Sequence, residues 1–317
     1  MKIIVILKNK YYNAIFISYL SYLLIFFPNF IFADVLSKDT IEWATFDWPP
    51  GYIISGPDKG RGFVDLTQKM IIDELKNYNH KIKVFPLARL KFNIKNGRHS
   101  CYGAAIYSKH YAVKNGMLIG IPYLLQYPHQ ILILKSKRHL FNDKKIVKLD
   151  YLLKNTNLRL TVQKNWSLGP IIDNILKKNK SSKNIHVRAS SDGYSGLLKM
   201  VKLGRTDYII NYYSSFKTII NDIGFNLNDF EIISIYENKD TFHGASFSVS
   251  DNMWGKKIIS EINQVVFKIR KDKKFRRIIE NHLIPKGHET KYWKLYKQKI
   301  ISQNHNINSK LNEKSNQ

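Results

Sequence analysis

Cysteine is almost absent. The 317-residue chain has one, Cys101, so it cannot form an internal disulfide, and that residue lies too far from the N-terminus to carry a lipid as a leader-adjacent cysteine would. Set on an apolar run, it reads as a small core residue. Acidic residues are few as well, 24 Asp and Glu against 51 Lys and Arg, for a formal charge of +27. Such a balance ordinarily points to nucleic acid, an anionic membrane or an acidic ligand. Here the cations are spread along a chain rich throughout in Lys, Asn and Ile, as a general compositional drift produces. No zinc-finger spacing, RNP-like aromatic motif or Arg-rich arm supports a nucleic-acid partner. Catalytic signatures are missing too. There is no His-Glu-x-x-His, Gly193-Tyr194-Ser195-Gly196 lacks the spacing of a nucleophile elbow, and the ten His residues form no convincing metal-ligand pair, His282 and His288 being separated by a helix end and a Pro. Neither an enzyme nor a metal or organic cofactor is expected.

Only one long hydrophobic run is present, and it comes first. Lys2, Lys8 and Lys10 precede AIFISYLSYLLIFF, and PNFIFA then ends at Ala33 before Asp34. This is the layout of a secretory signal, residues 1–33, removed between Ala33 and Asp34 to leave a periplasmic protein. The run falls short of the roughly 20 residues of a membrane span, although its flanks could extend it into an uncleaved membrane anchor.

The remaining chain, 44% apolar over its whole length, has enough material for two medium cores. TIEWATFDW (40–48) reads as a strand entering a Trp48-Pro49-Pro50-Gly51 turn, YIIS (52–55) as a short second strand, and GPDKGRG as a loop. Leu66, Met70, Ile71 and Leu75 have helical spacing over about 63–77. Gly60-x-Gly62 before that helix resembles a dinucleotide loop, but Asp65 stands at the third glycine position and would repel phosphate. Strands and helices alternate to the end of the fold, which argues for an α/β class with largely parallel sheets. One unit occurs twice. LKFNIKNGRHSCYGAAIYS (90–108) and LLKMVKLGRTDYIINYYSS (197–215) align with Leu90 on Leu197, Ile94 on Val201 and Gly97-Arg98 on Gly204-Arg205. Two similar lobes sharing one cleft follow, with strand ends and helix N-termini facing it.

The order of motifs is also familiar. Asp47-x-Pro49-Pro50-Gly51-Tyr52-Ile53, Gly60-x-Gly62-x-x-Asp65 opening a helix, an Arg followed by Gly97-Arg98-x-x-Cys101, then LRLTVQKNWSLGPIID and LLKMVKLGRTDYII together resemble the bacterial extracellular solute-binding proteins of the polar-amino-acid type, in an uncharacterised branch, over about residues 40–285. The resemblance implies a type II periplasmic-binding fold: a first lobe over 34–135, a second over 136–241, a return to the first over 242–287, and hinge strands near 131–136 and 240–246. A tail over 288–317 follows, and SQNHNINSKLNEKSNQ, with almost no large apolar residues, is expected to be disordered from about 302. In that tail KYWKLYKQKII has the aromatics to dock on a lobe. The resemblance also implies a monomer that captures a small-molecule ligand, for an ABC-type importer or as a sensor or binding module without transport, and a lyase or dehydratase on the same fold is the remaining reading.

Amino-acid binders of this type carry Thr-x-x-Arg after the first-lobe strand, and here the stretch is Ser108-Lys109-His110-Tyr111. Their Asp five residues beyond Gly-x-x-Asp corresponds to Tyr212. Phenols thus stand where a zwitterion's two charged partners would be, and a standard α-amino acid is not the expected ligand. Phe46, Trp48, Tyr52, Tyr107, Tyr111, Trp166 and one of Tyr212 and Tyr213 are the candidate cleft residues, pointing to a flatter, less charged ligand. Phe46, Trp48 and Tyr52 could equally cap the core. Ser108, Ser167 (before the Gly169-Pro170 helix start, where a plain cap is the alternative to an anion site) and Arg89 complete the candidates; for Arg89 a surface position is the default that the resemblance overrides.

Overall fold

The computed structural model describes residues 39–155, 157–190 and 192–302; the signal segment, its cleavage point and the tail beyond 302 lie outside the described residues. The strands are β1 (Thr40–Thr45), β2 (Asn79–Val84), β3 (Ser100–Ile106), β4 (Met117–Ile119), β5 (Leu124–Gln126), β6 (Gln130–Leu134), β7 (Ile146–Val147), β8 (Leu160–Gln163), β9 (Ile185–Arg188), β10 (Tyr208–Asn211), β11 (Phe230–Ile235) and β12 (His243–Ser250). They form two sheets, one in each lobe. The first has the order β2-β1-β3-β12-β4, with β5 also on β12, and the second has the order β7-β11-β6-β10-β8-β9. The α/β class and the two sheets, with the chain crossing from one to the other and back, are thereby seen directly.

The sheets are mixed rather than largely parallel. β1, β2 and β3 are mutually parallel, as are β8, β9 and β10, but β12 runs antiparallel to β3, β4 and β5, and β6 antiparallel to β10 and β11. The reason is topological. β6 and β12 are the first strand after each crossing between sheets, so each arrives without the helical crossover that a parallel neighbour requires. The run 129–135, assigned from sequence to the first lobe, supplies the central strand of the second sheet. The crossings lie between Gln126 and Gln130 and between Ile235 and His243. Asn238, fully buried in the second crossing, donates from Nδ2 to the His129 carbonyl of the first at 3.2 Å and ties the two together.

Packing explains why β6 is an unbroken apolar run. Ile131 and Ile133 enter the core on one face of the second sheet, while Leu132 belongs to a cluster continuous with the first lobe; Tyr208 and Ile210 against Ile209 alternate the same way on β10. The helices are α1 (Phe63–Glu74), α2 (Leu87–Lys95), α3 (Lys109–Asn115), α4 (Leu149–Asn155), α5 (Pro170–Lys178), α6 (Gly193–Lys202), α7 (Tyr213–Asp222), α8 (Met253–Ile269), α9 (Lys273–Leu283) and α10 (Glu289–Tyr296). Asp65 makes the start of α1: its carboxylate accepts from Ile53 N at 2.9 Å and Gly62 N at 3.1 Å, although burial raises its pKa to about 6. No second strand forms at 52–55. Only a bridge between Trp48 and Tyr52 is present, because Gly51 N and Tyr52 N both turn back to the Trp48 carbonyl, at 2.7 and 2.9 Å.

The sequence repeat is a repeat of structure. In α2, Gly97 N bonds Ile94 O at 3.1 Å and Arg98 N bonds Asn93 O at 3.1 Å; in α6, Gly204 N bonds Val201 O at 3.0 Å and Arg205 N bonds Met200 O at 2.9 Å. Both glycines have positive φ, 80° and 68°, the left-handed stop that favours glycine. The C-terminal piece docks on the first sheet: Tyr292 Oη donates to Leu125 O at 2.9 Å and Tyr296 Oη to Tyr123 O at 2.8 Å, so α10 covers the edge strand β5.

Candidate functional site

A small cavity of about 60 Å³ lies between the two lobes, lined by residues of both, by His129 of the first crossing and by the start of β12. β1 delivers Phe46 and, past Asp47, Trp48; their rings stack at 6.1 Å with 9° between planes. α5 is preceded by Trp166, whose ring meets Phe46 edge-on at 5.8 Å, while Tyr212 caps α7 and stands 6.2 Å from Trp48. Aromatic rings of the two lobes thus touch one another beside the cavity. Tyr194 packs on Trp166 at 4.6 Å, and Tyr102 and Tyr111 complete the first-lobe wall.

Of the candidates read from sequence, Phe46, Trp48, Tyr111, Trp166, Ser167 and Tyr212 line this cavity. The other four are placed elsewhere. Tyr52 is fully buried beneath it, donating to Gln68 Oε1 at 3.3 Å and accepting from Gly103 N at 2.8 Å, so its hydroxyl is fixed within the core. Arg89 is exposed beside Phe92, its guanidinium carbon 5.7 Å from that ring. Two residues make about 200° of helix, so Lys91, and Leu87 one turn before it, occupy the cavity side of α2 instead. Tyr107 lies outside the wall with its N–H on Gly244 O at 2.8 Å, and Ser108 is the N-cap of α3, accepting from Tyr111 N at 3.4 Å. Of the adjacent tyrosines, Tyr212 is 8% exposed and faces the cavity, whereas Tyr213 opens α7 and is 36% exposed.

The hydroxyls on the wall are largely committed. Tyr102 Oη gives its one proton to Ala104 O at 2.9 Å, so it accepts from Tyr111 Oη at 3.0 Å. Burial pushes the Tyr111 phenol up to about 12. Ser167 Oγ donates to Asp173 Oδ2 at 2.5 Å and accepts from Gly169 N at 3.2 Å, and Asp173 also accepts from Leu168 N, which makes this group a cap for α5. Lys91 Nζ reaches the Asn165 carbonyl across the cleft at 3.2 Å and lies 5.1 Å from the Tyr111 ring centroid. Burial, with repulsion from Lys114, lowers its pKa to about 8.

Sequence reasoning missed the polar end. Gln126, His129, Asn211 and His243 all line the cavity. His129 stacks on Tyr212 at 3.9 Å and is 6.1 Å from His243. Burial drives His129 well below the ordinary imidazole range, with His243 adding repulsion, and burial lowers His243 likewise, so both are neutral near pH 7. The signal available was the polar residue at the carboxyl end of an apolar strand, Gln126 in LLQ and Asn211 in YIIN. Among the described residues, no group of three His, Cys, Asp or Glu side chains is placed to hold a metal ion, and no helix is long and apolar enough to cross a membrane.

No protein-family model and no curated protein matches the sequence. Solved structures match the fold. A structure from work on glutathione import in Gram-positive bacteria via GshT and the cystine ABC importer TcyBC of Streptococcus mutans has a TM-score of 0.63 at 15% identity, covering 80% of this chain and 99% of its own. An arginine third transport system periplasmic binding protein from Legionella pneumophila gives 0.57 at 18% identity, covering 78% and 100%. A histidine kinase sensor domain with similarity to periplasmic binding proteins gives 0.61 at 15%, covering 78% and 98%. The fold is that of the type II periplasmic binding proteins, and many of its structural neighbours are substrate-binding proteins of amino-acid ABC transporters.

Proposed function

We propose that this protein is an exported solute-binding protein that captures a small molecule between its lobes, as a monomer, and hands it to an ABC-type importer. The observation that carries this reading is the cavity itself, walled by aromatic side chains from both lobes and bounded by His129 of the first crossing and by His243, where the second ends, so that motion about the crossings would open and close it. The solute-binding proteins among its structural neighbours and the secretory layout of residues 1–33 support it, the latter with cleavage after Ala33 and a periplasmic location. The wall favours something other than a free α-amino acid. Tyr111 and Tyr212 occupy the positions of the charged partners, and a charge-assisted pair worth roughly 1.5–3 kcal/mol is missing at each.

A binding module that serves a membrane sensor is the second reading, favoured by the fold match to a kinase sensor domain. Native mass spectrometry of protein exported by a bacterial host tests the shared core of both. A small molecule that co-purifies, leaves on unfolding and is returned unchanged supports them. Conversion of that molecule to a product would make the protein a lyase, and no adduct from any growth medium or extract would count against ligand capture. The intact mass from the same spectra reports whether residues 1–33 are gone.

A further inference from the structure

The polar end of the cavity gathers four buried polar side chains. Gln126 and His243 are register partners on β5 and β12, and Asn211 pairs with Gln130, next to His129. They are 3% (Gln126), 8% (His243), 1% (Asn211) and 2% (His129) exposed. Yet Gln126 Nε2 and Oε1, His129 Nδ1, Asn211 Nδ2 and His243 Nε2 have no hydrogen-bond partner among the described residues. Buried polar groups are nearly always paired, because leaving them unpaired costs stability, and here five such atoms belong to residues of one cavity wall. Folding gives no reason for that concentration, whereas a ligand that pairs them does.

The wall also limits the ligand's chemistry. Both imidazoles are uncharged, the Lys91 ammonium is turned to the Asn165 carbonyl, and Asp173 is held by Ser167 and Leu168 N. A free carboxamide offers a donor and an acceptor side by side, the bidentate match for an edge that presents an acceptor and a donor, as glutamine and asparagine read adenine. Phe46 meets Trp166 at 5.8 Å and Trp48 meets Tyr212 at 6.2 Å, and these four touching rings give the cavity an apolar aromatic border on which a flat ring can pack.

We propose that the ligand is a small, neutral, planar heterocycle or aromatic amide of nucleobase or nicotinamide type, whose donor–acceptor edge is read by Gln126 while His129, Asn211 and His243 complete its hydrogen bonds. This rests on the solute-binding reading above and gives it a substrate class. Calorimetric titration of uracil, cytosine and nicotinamide, with L-glutamine and L-arginine beside them, into the unmodified protein and into Gln126→Leu is the test, together with thermal melting of both proteins without ligand. At least one of the three ring compounds binds, and Gln126→Leu weakens it tenfold or more while melting no lower than the unmodified protein, since an apolar group replaces an unpaired amide. If Gln126→Leu melts lower, Gln126→Met, closer in shape, takes its place in the titration. Affinity equal in the variant overturns the assignment to Gln126. Binding of an amino acid with the ring compounds silent, or binding of none of the five, overturns the ligand class; the native mass spectra then decide separately whether the protein captures a solute at all.

Discussion

At Gly169 the second lobe lies against His243 of the returning strand. Its φ is +88°, and a Cβ there would stand 2.7 Å from His243 Nε2. Gly169→Ala therefore strains the backbone by about 1 kcal/mol or more and pushes His243 out of the cavity wall. We expect ligand affinity to fall at least tenfold. Gly224→Ala has the same kind of strain, φ +71° with nothing within 4 Å, and should leave affinity unchanged, so the pair separates contact from strain in one titration. Tyr111 gives a second residue-level test. Tyr111→Phe removes the donor to Tyr102 and should cost roughly 0.5–1.5 kcal/mol in urea unfolding. Tyr111→Arg would bury a second cation beside Lys91 and should cost more than Tyr111→Phe without creating an amino-acid site. At this scale the sequence told aromatic wall from surface only in part. Phe46, Trp48, Trp166 and Tyr212 were legible as large rings beside turns and helix starts, but Arg89 and Lys91 differ only in helix phase, which an uncertain helix start does not fix.

Among the elements, β1 and the repeated helix–turn–strand unit carry the first lobe's main ion network. Arg98 grips Glu42 through Nε and Nη2, both at 2.6 Å, Ser100 Oγ adds a bond at 2.7 Å, and Lys83 Nζ stands at 3.1 Å. Burial alone would raise the Glu42 carboxyl, but these hydrogen bonds outweigh it and hold its pKa at about 2. Because the folded value lies below the ordinary 4.5, the native state gains stability that is fully present above pH 4.5 and is lost as pH falls toward 2. Glu42→Gln should lose roughly 1–3 kcal/mol at pH 7 and much less relative to the unmodified protein near pH 3, measured by urea unfolding at both. The second copy of the unit uses its Arg differently. Asp207 is bonded by Arg159 and Lys137 instead, so the repeat preserves the helix stop and the buried Leu and Ile or Val positions but not the ion pair. α10 invites an equally direct test. Ending the chain before Glu289 removes Tyr292, Tyr296 and Ile300, all 4% exposed or less, and bares the edge of β5. A loss of about 5 kcal/mol is expected from the buried side chains, with aggregation through the exposed edge seen by light scattering. Elements were the most legible level, since the 3.6-residue spacing of Leu66, Met70, Ile71 and Leu75 in α1 is a strong signal. YIIS failed as a strand because local turn bonds captured its start.

For the whole molecule, two lobes could be read from the repeat, whereas the point of crossing could not. β6 is buried on both faces, so no alternation says which sheet it joins, and only long-range pairing with β10 and β11 places it in the second. The polar quartet was hidden for the same reason: Gln126 and His243 meet only because the chain crosses twice at one place. The proposed capture of a solute requires those crossings to act as a hinge around the cavity. Small-angle X-ray scattering tests this most directly, comparing the radius of gyration of protein freed of small molecules by unfolding and refolding with that of the same sample saturated by the molecule recovered from the native complex. A smaller radius in the saturated sample is the expected result, and an unchanged radius at proven saturation would contradict closure of the two lobes over a ligand.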